Sequence, residues 1–540
     1  MKIMSYRFIL LFITLVFNNY STNAQGWLWA KLIGGLFSDY DQGAGIIASE
    51  DIYVFGTFNS IDCYTETDTF HLRGGEDIFF AKFDNNGNEK WCRSIGGFNP
   101  GINKEQISKI ILDPTEEYLY MTGYYNDSII IGPATLHGIN REIFIAKFDT
   151  SGNLIWAKSA GGMSDDSGSG IGIDSLGNIY LSAFILGQAM FDSYIVQPGT
   201  ILAKYDTSGN CLGAKNVMKN ISGRALFNNN YLYFVGVSLI NADTLYIDSL
   251  KMLGNNSYDI ILSKFDTTGK VIWALKEGWI ADDFATGCSL DENGNIYLTA
   301  NYGSDSTIIN GDTLRNGQSI LMKYNNLGTF QWLTEFTASN KILVSSRLQT
   351  DHQGSVYVTG RFSDTATFGN YTLFAQSVGD AFLVRYSSNG NCIGADNIPF
   401  GDGIDVAVDI NDKPFITGNF SIVTTAAGTV NTHGLFDAGV IMHDIINGVT
   451  ETEKTRGNEL IIYSNPTTGK CNITMPDEFL NKNGTLTLTL YNNLGKVIQS
   501  YLVQVKDGII KLNLDYEAAG IYIVTLTDGH KLFKGKIIFE

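Results

Sequence analysis

The chain has 540 residues, 44% of them hydrophobic, with 58 Gly and only 8 Pro, too long for one ordinary core but suited to a large repeat domain beside a small one. Its net charge is −18; residues 459–540 carry eight basic and eight acidic side chains, and positions 1–24 only Lys2 and Arg7, which leaves −20 on residues 25–458. Such a body repels phosphate backbones and anionic membranes, so no nucleic acid is expected among its partners.

The first segment has Lys2 and Arg7 before an apolar run from Phe8 to Phe17, then a polar stretch ending in Thr22-Asn23-Ala24. This is the three-part pattern of a secretory signal peptide over residues 1–24, with cleavage between Ala24 and Gln25. The apolar run is too short to span a bilayer, and no later segment reaches that length, so no transmembrane segment is expected.

Three landmarks then recur in order. The first is a strand whose aromatic residue appears, at spacings of 53 to 67 residues, as Tyr53, Tyr120, Tyr180, Tyr233, Tyr297, Tyr357 and Phe415. The second is a strand of the form Asp-Ile-Phe-Phe-Ala-Lys, whose basic residue recurs as Lys82, Lys147, Lys204, Lys264, Lys323 and Arg385, with Met442 in the last copy. The third is a Trp nine residues later, at Trp91, Trp156, Trp273 and Trp332, with Gly213 and Gly394 in two copies. Turns such as Asp84-Asn85-Asn86-Gly87 separate the second and third landmarks. Gly supplies a positive φ and Asp bonds the turn backbone, so these read as hairpins and not as calcium loops.

A period near 60 with several strands per copy fits propeller blades better than the shorter coils of a solenoid. The last copy lacks its third landmark, while Trp29-Ala30-Lys31 near the N-terminus matches Trp156-Ala157-Lys158. The expected fold is therefore all-β: a seven-bladed β-propeller over residues 25–446, closed by the N-terminal strand. The direct test is pairing of Trp29 with the strand around Val440–Met442. The repeats resemble the bacterial SBBP-type propeller repeats found in exported proteins, a resemblance that implies fold and says almost nothing of activity.

A polar linker follows over residues 447–458. Residues 459–540 alternate apolar strands with tight turns, which reads as a small Ig-like β-sandwich. Asn465-Pro466-Thr467-Thr468-Gly469, Leu494-Gly495-Lys496, Gly520-Ile521-Tyr522 and the basic, apolar end resemble the C-terminal sorting domain of the type IX secretion system of Bacteroidota. Ser464 departs from that family's usual Pro. The resemblance implies export across the outer membrane, with the type IX machinery as a partner, to the medium or the cell surface.

Chemistry is sparse. The six Cys and six His show no metal-ligand spacing, and no nucleophile motif appears, so no catalytic residue, metal or cofactor is expected. Asp39, Asp166 and Asp283 each stand at the same distance before the landmark Tyr. They are candidate binding residues at a channel mouth, for a cation or a sugar; the plainer reading is that each ties adjacent blades. The expected function is a secreted or surface binding or adhesion protein for a glycan or other cell-surface ligand. The alternative is a secreted polysaccharide-active enzyme.

Overall fold

The computed structural model describes residues 27–444, apart from 36, 98–104, 229, 240–242, 255–256, 279–281, 303–305, 310–311, 316–318 and 339–342, and the strands between 460 and 539. The chain forms two compact units, residues 1–448 and 449–540. Every regular element among the described residues is a strand.

In the first unit, seven antiparallel four-stranded units follow one another: 42–95, 106–162, 167–219, 221–277, 283–338, 343–398, and 401–443 completed by Trp27–Gly35. They are numbered here sheets 1 to 7. In sheet 7 the strand Gly434–His443 pairs with Trp27–Gly35, in the register Trp29↔Met442, Ala30↔Ile441 and Lys31↔Val440. The first strands neighbour one another in chain order, and Gln42–Ala48 of sheet 1 lies beside both Gln106–Leu112 of sheet 2 and Gly401–Val408 of sheet 7.

Inner strands are buried on both faces. In sheet 1, Phe79 and Ala81 pack with Phe415, Val440 and Met442 of sheet 7, while Ile78 and Phe80 pack with Ile110, Leu119 and Met121 of sheet 2. Successive side chains point to opposite faces, so a strand between two sheets must be apolar throughout. Each buried Phe contributes about 1.5–3 kcal/mol relative to an exposed one.

The three landmarks form one row across each sheet. Tyr53 pairs with Lys82 and Lys82 with Trp91; Tyr120, Lys147 and Trp156 repeat the row, as do Phe415, Met442 and Trp29. The row reaches into the next sheet. Trp91 Nε1 and Lys82 Nζ both donate to the Thr150 carbonyl, in the turn of sheet 2, each at 3.2 Å. Trp273 and Lys264 share the Asn326 carbonyl in the same way. The turn glycine lies flat on that indole: a Cβ at Gly209 (φ +81°) would sit 2.9 Å from the Trp156 ring. The turn Asp is consumed within its own turn, as Asp149 accepts the Ser151 and Asn153 N–H groups at 2.9 and 2.8 Å.

A second device accounts for the long repeat. Between the second and third strands the chain makes an outer hairpin that pairs with the fourth strand of the preceding sheet, as in Gly161↔Met190 and Met218↔Ile247. The hairpin of sheet 1 pairs with Trp27–Gly35 by the same rule, Gly34↔Tyr64 and Gly35↔Cys63.

The second unit has two antiparallel sheets. One joins Ile462–Tyr463, Lys470–Thr474 and Ile509–Asn513; the other joins Val497–Gln504, Thr485–Asn492, Gly520–Thr527 and Leu532–Phe539. Ile473 and Leu512 of the first share one core with Leu488, Val524 and Phe533 of the second.

Candidate functional site

The first strands are built from small residues: Gln42-Gly-Ala-Gly in sheet 1, Ser167-Gly-Ser-Gly in sheet 3. Small side chains let these strands line a cavity of about 460 Å³, with Gln42, Gln106, Ser169, Arg224 and Arg347 in its wall. A second cavity of about 360 Å³ lies further along the same strands and includes Lys109 and Gln349. Volumes of this order suit a small group or one end of a chain.

One tier of this wall carries charge. In every sheet, one first-strand residue pairs with the position two beyond the landmark aromatic. Around the seven sheets these residues are Gly45, Lys109, Gly170, Arg224, Gly287, Arg347 and Asp405. Glycine therefore alternates with a basic residue through the first six sheets, and the seventh carries an acid. In six sheets a bulge stands immediately before the tier; bulges re-aim side chains and sharpen the local twist. The glycines are required by space, since a Cβ at Gly170 would lie 2.7 Å from the Ala225 carbonyl and one at Gly287 3.0 Å from Arg347 Cα.

The tier is electropositive inside an acidic body. Arg224 Nη2 donates to the Thr286 carbonyl at 3.1 Å, and Asp405 Oδ2 accepts the Ile46 N–H at 3.3 Å. Among the described residues, none of Lys109, Arg224 and Arg347 forms an ion pair. Burial pushes the Lys109 ammonium below its ordinary pKa; Arg347 adds to that push and Asp405 opposes it. Arg224 and Arg347 line the larger cavity and Lys109 the smaller one. Two arginines on the larger cavity and a lysine on the smaller, against one carboxylate in the tier, favour an anionic group, and Arg forks match carboxylate or sulfate oxygens in pairs.

Of the residues expected from sequence, Asp166 and Asp283 lie elsewhere. Ala24 and Gln25 fall outside the described residues. Asp39 is in the strand Phe37–Tyr40, its side chain outside the described ones. Asp166 and Asp283 are buried, at the junctions of sheets 2 and 3 and of sheets 4 and 5. Asp166 Oδ1 accepts the Leu186 N–H at 3.2 Å. The residue doing this in sheet 1 is Asp41, which accepts the Gly35 and Asn59 N–H groups at 2.7 and 3.0 Å. The first turn of sheet 1 is two residues shorter, with Ile47↔Tyr53 against Gly172↔Tyr180, so a fixed spacing from Tyr points to Asp39. Neither Asp41, Asp166 nor Asp283 lines either cavity.

The basic tier was visible in the sequence only as scattered residues. Lys109, Arg224 and Arg347 each stand at a different distance before their landmark Tyr, because the bulge and the turn length vary from sheet to sheet. Of the His residues, His71, His352, His433 and His443 each face a carboxylate away from the cavity. All six Cys are free.

Residues 461–540 match the family model described as the secretion system C-terminal sorting domain. The chain is exported. That domain marks proteins carried by the type IX system to the cell surface or the extracellular space. The body is similar to solved propeller structures. Two similar solved structures are the Dos1 propeller (9% identity, TM-score 0.37, 76% of this chain and 95% of that one) and an ulvan lyase from a new family of polysaccharide lyase (11%, 0.40, 78% and 96%). A curated relative is an uncharacterized WD repeat-containing protein of Acanthamoeba polyphaga mimivirus, 23% identical over 460 residues. The match takes in 73% of this chain but spans only 30% of that relative. No helix among the described residues is long and apolar enough to cross a membrane.

Proposed function

We propose that this exported chain is a non-catalytic binding protein of the cell surface or medium, and that its ligand is an acidic glycan that places a carboxylate or sulfate in the first-strand cavity. The carrying observation is the tier of Lys109, Arg224 and Arg347, cationic within a body of −20. In this reading the body is a seven-bladed propeller of SBBP type closed by its N-terminal strand. Support comes from the Trp29↔Met442 pairing and from sheet 1 lying between sheets 2 and 7. Residues 1–24 are the signal peptide, 447–458 the linker, and 459–540 an Ig-like sorting domain of a Bacteroidota type.

The test is calorimetry of the secreted protein with uronate-bearing, sulfated and neutral polysaccharides. Acidic polymers should bind and neutral ones should not, and Arg224→Ala and Arg347→Ala should each weaken binding roughly tenfold. Equal binding of neutral polymers, or unchanged affinity in both variants, would overturn the reading. Release of new chain ends would instead favour the polysaccharide-active enzyme, for which Asp405 is the carboxylate on the tier. Deleting residues 459–540 should retain the protein in the periplasm.

A further inference from the structure

A buried pair of carboxylates stands between sheets 2 and 3. Glu142 begins the apolar part of its strand and Asp166 precedes the first strand of sheet 3; both are buried, Asp166 completely. The Asp166 N–H donates to the Arg141 carbonyl at 2.8 Å and its Oδ1 accepts from Leu186. Its Oδ2 is buried without a well-formed hydrogen bond, the Gly162 N–H offering that carboxylate only a weaker one. Gly161 makes room for both acids: a Cβ there would lie 2.1 Å from Glu142 Oε2 and 3.1 Å from Asp166 Oδ2. The two oxygens thus converge on one point.

The same arrangement recurs between sheets 4 and 5, and there it contains a cation. Asp259, like Glu142, stands five residues before the landmark Lys. The Asp283 N–H donates to the Tyr258 carbonyl at 2.7 Å, as Asp166 does to Arg141. A Cβ at Gly278 would lie 2.8 Å from both Asp259 Oδ1 and Asp283 Oδ2. Lys276 Nζ reaches Asp259 Oδ2 at 3.1 Å. Lys276 is three residues after Trp273; the residue three after Trp156 is Ser159, whose hydroxyl bonds the Tyr125 hydroxyl at 2.7 Å. The first junction therefore has the acids of the second without its ammonium.

Other charges nearby do not fill that role. The Arg141 guanidinium, 4.9 Å from the Tyr124 ring centre, acts on Asp166 through its charge without forming an ion pair, and Asp165 adds negative charge that opposes it. Among the described residues, no Lys or Arg nitrogen forms an ion pair with Glu142 or Asp166. Burial first, then the charge of Asp166, raises Glu142 to about 7; burial raises Asp166 to about 6 against the opposing pull of the Leu186 and Gly162 N–H groups. Removing two carboxylates from water without an ion-paired counter-charge costs several kcal/mol per ion.

We propose that Glu142 and Asp166 hold a hard divalent cation, calcium by class, at the junction of sheets 2 and 3, in the place that the Lys276 ammonium takes at the junction of sheets 4 and 5. Carboxylate oxygens with water and backbone oxygens completing the shell are the ligands this class prefers, and extracellular modules bind it at roughly 10⁻⁴–10⁻³ M. The proposal is independent of what the first-strand cavity binds.

The experiment uses the full-length chain stripped with EDTA and titrated with calcium chloride, with sodium chloride as the control, followed by thermal melting and by bound-calcium analysis. The wild-type melting temperature should rise by several degrees with one calcium bound. Glu142→Gln should abolish the rise. Ser159→Lys should also abolish it, with the metal-free variant melting at or above the metal-free wild type, and Lys276→Ser should gain a second bound calcium. No calcium-dependent shift in the wild type, a shift that survives in Ser159→Lys, or a stability that follows pH alone would overturn the proposal.

Discussion

The indole Nε1–H of Trp29 donates to the Asn85 carbonyl at 3.1 Å, the bond that Trp91 makes to Thr150 one sheet further on. A residue near the N-terminus thus performs a repeat function for a sheet whose other strands lie between Gly401 and His443. Its ring also lies on Gly87, whose Cβ would be 2.8 Å away. Replacing Trp29 with Ala removes a large buried ring and the bond to sheet 1. The expected loss is about 3–5 kcal/mol, similar to that for Trp91→Ala, measured as the shift in the urea midpoint. A loss well below that of Trp91→Ala would show that the N-terminal strand is an ornament on sheet 7.

The turn glycines answer to two demands that can be separated. Gly209 and Gly354 both have positive φ, +81° and +78°, so Ala at either is strained by about 1–2 kcal/mol. Only Gly209 also faces an indole; the nearest atom to a Cβ at Gly354 is Ser388 Cβ, at 3.7 Å. Gly209→Ala should therefore cost at least about 1 kcal/mol more than Gly354→Ala. Equal costs by denaturant unfolding would mean that the indole yields freely.

The landmark rows were legible because they must be apolar, aromatic or basic at fixed pairing positions, and a strand keeps that spacing. The same logic gave the match of Trp29 to Trp156 from three residues. Bulges and turns obey no fixed count. Lys109, Arg224 and Arg347 share one tier yet stand at three different distances from their Tyr, and Asp41 takes the position that spacing assigned to Asp39. The charged tier could be found only once the pairing register was known. The outer hairpins were hidden too, because three- and four-residue strands such as Asp62–Tyr64 and Thr244–Ile247 are too short to show an alternation.

Stability should fall as pH rises through neutrality in calcium-free buffer. Burial raises Glu142 to about 7, Asp166 to about 6 and Glu105, beside Asp77, to about 8. Between the ordinary carboxyl range near pH 4 and these values the folded chain holds more protons than the unfolded one, so raising the pH favours unfolding. The turn acids Asp84, Asp149, Asp206 and Asp266 are lowered instead, by bonds to their own turns against the opposing effect of burial. Their contribution is present above the ordinary Asp range and lost only in stronger acid. Melting temperatures from pH 4 to pH 8 should decline in the wild type and decline less in the Glu105→Gln, Glu142→Gln double variant. A flat wild-type profile would count against the raised values.

Two sheets lack the landmark Trp, and they should respond differently to gaining one. Sheet 3 has Gly213, with nothing within 4 Å of where its Cβ would be. Sheet 4 beyond it has an intact turn, Asp266 to Gly269, in which the Gly269 N–H donates to the Asp266 carbonyl at 2.9 Å. An indole at residue 213 would find the Thr267 carbonyl where Trp156 finds that of Thr207, once the Lys215 side chain over Gly269 turns to solvent. Sheet 6 has Gly394, but the third strand of sheet 7 ends at His443 and its fourth is Trp27–Gly35, so no hairpin turn joins those two strands. That end is served instead by His443, whose Nε2 lies 3.0 Å from Asp396 Oδ2 and whose ring meets Trp27 edge-on at 4.3 Å. Gly213→Trp should gain about 1 kcal/mol from the added ring and hydrogen bond, while Gly394→Trp should gain nothing or lose stability. Equal gains at both sites in urea titrations would mean that the indole stabilises its own sheet, and that the turn of the next one is not its partner.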